Sequence, residues 1–295
     1  MAVAATLSPV TDVDDRLTRL GIVREAVGMA RAAVVYPWGF RPAPQRRAAR
    51  LSVLADLLGP GAAATCTMPV VLVPGYMGNH SNWYPLERRL ALAGFTDVHC
   101  LAYVPIATTV EQLAERLADT CRAVLERSGS DRLHVVGHSL GGVLVRYAAQ
   151  RLGLAPRLAT AVTIATPHRG VPVAVLGRGA VARALRPRSP LYDQLEEPGE
   201  GSGTVRWVAY YSNADVVAPP RSARLVHPAL SAENVLVPDQ GHLSILRASA
   251  LLRSVPEVLR ASQATAAAAG AAHAPAARPG PTAPALAGAR PAVAA

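Results

Sequence analysis

One serine stands in a setting that suits nucleophilic chemistry. Ser139 lies in the run Gly137-His138-Ser139-Leu140-Gly141. The residues before it, Leu133-His134-Val135-Val136, read as a strand, and those after it, Gly142 to Tyr147, read as a helix. A serine on a tight strand-to-helix turn exposes its hydroxyl above the sheet. Small flanking residues let the backbone close in without collision. The N-terminus of the following helix adds partial positive charge where an oxyanion would develop. The pattern is therefore read as a nucleophile for acyl chemistry rather than as an ordinary turn.

A serine hydroxyl is a weak nucleophile until a base accepts its proton. The expected chain order is serine, then carboxylate, then histidine. The chain has 8 histidines, and His242 is placed best: it follows the strand pattern Asn234 to Val237 and precedes the last helix pattern. His227, in Val226-His227-Pro228, comes before that strand and reads as a loop histidine. Asp215, at the end of the strand pattern Val205 to Tyr211, is the expected acid, with Asp239 as its competitor and Asp193 as a weaker one. Two backbone N–H groups must hold the oxyanion. Leu140 supplies one, being next to the serine. The loop Val73-Pro74-Gly75-Tyr76-Met77-Gly78-Asn79 supplies the other, through Tyr76 or alternatively Met77.

The elements that position these groups follow from periodicity. Pro69 to Val73, Val98 to Tyr103, Arg132 to Val136, Ala161 to Ala165, Val205 to Tyr211 and Asn234 to Val237 predict strands. Between them, Ser81 to Gly94, Thr108 to Ser128, Leu140 to Leu152 and Leu243 to Arg260 predict helices. The 108–128 helix carries a stripe of Val110, Leu113, Leu117, Cys121 and Val124, and Thr108 with Glu111 reads as its capping box. This alternation predicts an α/β domain over residues 66–262, a mostly parallel sheet of about six strands covered by helices on both faces. Residues 170–204 form an insert with an amphipathic patch (Val171, Val173, Val175, Leu176, Val181, Leu185), read as a lid or as a surface excursion.

Two regions flank the domain. Residues 1–65 predict a helical extension. Its first helix begins near Thr11, carries Leu17, Leu20, Val23, Val27, Ala30 and Val34 on one face, and ends at Tyr36-Pro37. A second, with Leu51, Leu54 and Leu58, stops at Gly59-Pro60-Gly61. Both helices are expected to pack on the main domain; the alternative is weak peripheral contact with a membrane surface. Residues 263–295, almost wholly Ala, Pro, Gly and Arg, are expected to be disordered.

Composition narrows the class. The net charge is +10, and all 30 basic residues are arginine. They are scattered, and no nucleic-acid motif accompanies them, so the charge reads as arginine standing in for lysine rather than as a nucleic-acid surface. Cys66, Cys100 and Cys121 show no paired or metal-binding spacing. The acidic start at Asp12, Asp14 and Asp15 does not resemble a secretory signal, and the stretch from Ile22 to Val35 is too charged to span a membrane. A cytoplasmic setting is the expectation.

Several of these segments together resemble the bacterial lipases and esterases of the α/β-hydrolase superfamily, most closely those with a minimal sheet. They are Pro74-Gly75-Tyr76-Met77-Gly78, Gly137 to Gly142, Thr166-Pro167-His168-Arg169-Gly170, Asp215 and Gly241-His242-Leu243-Ser244. The resemblance covers roughly residues 68–260. It departs at Pro74-Gly75, where those lipases usually carry His-Gly; the expected donor lies one residue later and is a main-chain N–H. His168 reads as structural or pocket-lining. The resemblance implies cleavage of a carboxylic ester or lipid through an acyl-enzyme on Ser139, with no metal or organic cofactor. Acyl transfer, or thioester or amide cleavage, with the same residues are the alternatives. From another class comes a non-catalytic lipid-binding or interaction protein on the same fold.

Overall fold

The computed structural model describes residues 19–35, 66–172, 174 and 179–272. Its centre is a parallel sheet of six strands: β1 (Val70–Val73), β2 (Val98–Cys100), β3 (Leu133–His138), β4 (Leu158–Ile164), β5 (Arg206–Tyr211) and β6 (Glu233–Leu236). The spatial order is β2-β1-β3-β4-β5-β6. Register runs from Val70 opposite His134, through Val136 opposite Val162, to Tyr210 opposite Val235. Each strand sits within about three residues of its expected position, the usual reach of a period-based boundary.

The central strands β1, β3 and β4 are buried on both faces, which is why they read as mainly apolar runs without polar alternation. Along β1, Val71 and Val73 enter one core and Val70 and Leu72 the other. The first core is closed by α3 (Val110–Ser128) and α4 (Leu140–Arg151), the second by α2 (Tyr84–Leu92) and α8 (Ser249–Ala272); a short α7 (Pro220–Ala223) lies between β5 and β6. The predicted stripe of α3 is buried in full, each Val or Leu contributing ~1.5–3 kcal/mol relative to exposure. Its cap lies one residue beyond the expected pair. Thr109, in extended conformation, accepts from Gln112 N at 3.3 Å, and the Gln112 side chain accepts from Thr109 N at 3.1 Å. Thr108 and Glu111 offer the same residue types one position early, and local pattern does not distinguish the two registers.

Three expectations about the periphery change. First, α8 continues to Ala272, past the expected boundary at 262, because its alanine tract is a strong helix former. Second, the described part of 170–204 is packed down. It contains α5 (Ala180–Ala184) and α6 (Pro190–Glu196); Val171, Val181, Leu185, Leu191 and Leu195 join the core under α4, while Val173, Val175 and Leu176 lie outside the described residues. The buried Arg146 of α4 fastens the insert by donating to the carbonyls of Leu195 (2.6 Å) and His168 (3.3 Å).

Third, α1 (Arg19–Val35) packs on the main domain, but not by its apolar face. Val23, Val27 and Val34 are exposed, and Gly21 and Gly28 are buried. Gly28 lies so close to Ser244 that a Cβ there would meet Ser244 N at 3.0 Å. The small residues allow backbone approach and hydrogen bonding that a valine face would prevent. The expected start of this helix near Thr11, the second helix around Leu54 and the residues after Ala272 lie outside the described residues.

Candidate active site

Ser139 occupies the turn between β3 and α4 with φ 53° and ψ −123°. That conformation is sparsely populated for a residue with a Cβ, at a cost of order 1–3 kcal/mol. Hydrogen bonds hold it there: Ser139 N donates to Ile164 O at 2.9 Å, and Gly142 N donates to Ser139 O at 3.0 Å. The hydroxyl Oγ lies 2.8 Å from His242 Nε2. On the other side of the ring, His242 Nδ1 lies 2.8 Å from Asp215 Oδ2.

Asp215 is 3% exposed and leaves the end of β5. Its second oxygen, Oδ1, accepts from Val217 N and Ala218 N, each at 2.9 Å. Those two bonds orient the carboxylate, so Oδ2 is left for the imidazole. The competing acids stand elsewhere. Asp239 takes part in the turn before His242, at φ 57°, where its N–H donates to Asn213 Oδ1 at 2.8 Å. Asp193 is exposed on α6. His227 is buried beside the insert, with Nε2 donating to Glu196 O at 2.9 Å. His168 is buried, with Nε2 3.1 Å from Thr163 Oγ1; burial, then Arg146, keeps its pKa well below that of free histidine.

The β1 loop lies over the serine. A Cβ added at Gly75 would come within 2.9 Å of His138 Nδ1 and 3.0 Å of Ser139 Cβ, so only glycine permits this approach. Gly78 N closes the turn onto Gly75 O at 2.9 Å, with Met77 at φ 54°. Tyr103, which follows β2, donates from its hydroxyl to Pro74 O and Gly75 O. A trans peptide directs its C=O and N–H oppositely. Holding the Gly75 carbonyl therefore turns the Tyr76 N–H away from Tyr103. Leu140 is the first residue of α4, and such an N–H has no partner within the helix.

Two contributors escape sequence reasoning. Tyr103 reads only as the end of an apolar run. His138 reads only as a variable position between Gly137 and Ser139. In the fold its ring lies 5.0 Å from that of His242, and its Nε2 donates to the His242 carbonyl at 2.9 Å. A carbonyl can only accept, so His138 carries its proton on Nε2. Burial, reinforced by His242, lowers its pKa to about 3, so the ring is neutral at pH 7. A polar residue beside the serine was the one available signal for it.

Comparison with known proteins agrees with this architecture. Residues 69–193 match the model of the palmitoyl protein thioesterase family, a span that includes Tyr76, Ser139 and Leu140 and stops before Asp215 and His242. A triacylglycerol lipase of Burkholderia plantarii is 32% identical over 152 residues, 47% of this chain and 41% of that protein. One from Pseudarthrobacter phenanthrenivorans is 32% identical over 115 residues, 36% of this chain and 35% of that protein. The chain thus spans less than half the length of these relatives. The mature lipase of Bacillus licheniformis superposes with a TM-score of 0.58 at 16% identity, covering 67% of this chain and 94% of that one. The chain has the α/β-hydrolase fold, and in that fold it is similar to a bacterial lipase of known structure.

Proposed function

We propose that the protein is a serine hydrolase that cleaves carboxylic esters. The observation that carries this reading is the unbroken line of hydrogen bonds from Ser139 Oγ through His242 to Asp215. Ser139 Oγ attacks the ester carbonyl as His242 Nε2 accepts its proton. Asp215 keeps the other imidazole proton on Nδ1 and stabilises the imidazolium that forms. The N–H groups of Leu140 and Tyr76 hold the oxyanion, with Tyr103 setting the direction of the second. Collapse expels the alcohol, which takes its proton from His242. Water then repeats the sequence on the acyl-enzyme and frees the acid. The test is turnover of a short p-nitrophenyl ester together with labelling of Ser139 by a fluorophosphonate probe. Ser139→Ala must lose both while keeping its fold. Activity retained in that variant overturns the assignment, and a folded wild type that is never labelled supports a non-catalytic binding protein.

The match to the thioesterase family model favours a second reading of the same residues, with a thiolate as leaving group. Parallel kinetics on a p-nitrophenyl ester and an acyl thioester of equal chain length separate the two. A lipid substrate is supported by the relatives' names and by exposed apolar side chains, Tyr76 and Met77 on the β1 loop beside the site and Ile22, Val23 and Val27 on α1. We infer weak peripheral contact with lipid through these residues; co-sedimentation with phospholipid vesicles, weakened by Ile22→Ser with Val23→Ser, checks it. No helix among the described residues is long and apolar enough to cross a membrane. The cytoplasmic setting is likewise proposed, supported by Cys100 and Cys121 standing as thiols.

A further inference from the structure

The loop that bears His242 is gripped from outside the sheet. The carboxylate of Glu25, on α1, accepts from Leu243 N through both oxygens, at 3.1 Å and 3.0 Å, and from Ser244 N at 3.1 Å. One residue earlier on the same helix, Arg24 Nη1 donates to Asp239 O at 3.1 Å. Gly28, one turn further along, rests against the backbone of Ser244. From the other side, His138 holds the His242 carbonyl. The amides of Leu243 and Ser244 open a short 3-10 turn, Ser244–Arg247, and the first N–H groups of such a turn have no internal acceptor. The helix therefore supplies what the loop lacks, on both flanks of the imidazole.

We propose that Glu25 is a positioning residue for His242, and that α1 is a working part of the active site rather than an appendage. The proposal rests on the hydrolase reading above. Its physical basis is the narrow tolerance of proton transfer: displacement of the base by ~1 Å costs on the order of a hundredfold in rate. An ionised carboxylate is the strongest side-chain acceptor for two adjacent N–H groups. Without it, both amides turn to water and the loop is free to swing. The face of α1 chosen for packing follows from the same requirement. Glu25 and Arg24 reach the loop only if the glycines of that face allow the helix to lie flat on Ser244.

The test uses the full chain. Glu25→Ala is expected to lower kcat on a short p-nitrophenyl ester by ~10-fold or more, with KM within about twofold of wild type. Fluorophosphonate labelling of Ser139 should slow in the same proportion, because it uses the same base. Glu25→Gln keeps one acceptor oxygen and should fall between. Val34→Ser, on the exposed face of the helix and outside the lipid-facing residues named above, should match wild type. Hydrogen exchange at the Leu243 and Ser244 amides should accelerate in Glu25→Ala while that in β3 and β4 does not, which reads the grip directly. Three results overturn the proposal: unchanged kcat and labelling in Glu25→Ala, a loss that merely tracks the fraction of folded protein, or unchanged exchange at those amides. If wild type itself is never labelled, the hydrolase reading fails first, and the positioning role with it.

Discussion

Asp215→Asn is an informative perturbation because the structure dictates how the new side chain must sit. Asp215 Oδ1 accepts from Val217 N and Ala218 N at 2.9 Å. In the variant that position must remain an oxygen, since an NH2 there would face two donors. The amide nitrogen is therefore forced into the place of Oδ2, 2.8 Å from His242 Nδ1. Facing a donor, Nδ1 must present its lone pair, so the imidazole proton moves to Nε2, opposite Ser139 Oγ. The base then has no lone pair where it is needed. Restoring the working tautomer breaks this arrangement, and the expected loss in kcat is ~10⁴-fold, or about 5 kcal/mol of barrier. Stability should change little, because every buried bond keeps a partner. Asp215→Ala behaves differently. It strands two N–H groups, at ~1–3 kcal/mol each in stability, but leaves the imidazole free to choose its tautomer, so its kcat should exceed that of Asp215→Asn. The assay is single-turnover acylation by a p-nitrophenyl ester, with urea unfolding measured alongside. An Asn variant within about tenfold of wild type, or one more active than the Ala variant at equal folded fraction, refutes the reasoning.

Tyr103→Phe removes the hydroxyl that holds the carbonyls of Pro74 and Gly75; kcat should fall ~10-fold with KM nearly unchanged, a modest share of what losing an oxyanion donor outright costs. Gly142→Ala places a Cβ 1.9 Å from Thr166 Oγ1, and should destabilise by about 3 kcal/mol or prevent folding. Adding Thr166→Ala should recover part of that loss in a thermal melt, and failure to do so would locate the clash elsewhere. Acid should destabilise the fold through its buried histidines. Burial, then Arg132, lowers the pKa of His134 to about 4, and burial lowers that of His138 to about 3. The unfolded chain therefore takes up protons from about pH 6.5 downward while the folded chain does not. Stability should fall as pH drops through that window, by on the order of 2 kcal/mol for each histidine between pH 7 and pH 5. Among the described residues, neither ring nitrogen of His134 has a hydrogen-bond partner, so His134→Leu should flatten the dependence in urea unfolding from pH 5 to pH 7; an unchanged slope would contradict this account.

Local sequence carried a great deal here. The Ser139 turn is legible because strand, nucleophile and helix are contiguous, so that one short segment holds the whole device. The central strands are legible because burial on both faces demands mainly apolar runs. Asp215 and His242 stand out as candidates by their place after successive strands, since parallel strands deliver their following loops to one edge. The sequence left Asp239 open beside Asp215 because each follows a strand pattern ahead of His242, and Met77 beside Tyr76 because neighbours along the chain look equally placed until the backbone assigns them directions.

Tertiary structure decided the rest. Ser139 and His242, distant in the chain, stand 2.8 Å apart although β4 and β5 lie between β3 and β6 in the sheet, because the loops after these parallel strands leave from one edge and the loop after β6 reaches past the strands between. Tyr103, His138 and Glu25 act through backbone carbonyls and amides, and no residue pattern announces where a backbone group from another segment will point. The α1 helix makes the distinction plainest. Its sequence determined that Val23, Val27 and Val34 share a face. Only the fold determined that this face stays exposed while Arg24, Glu25 and Gly28 meet the His242 loop. Periodicity records where apolar side chains fall around a helix; which side is buried depends on the shape and unsatisfied hydrogen-bonding groups of the surface it meets.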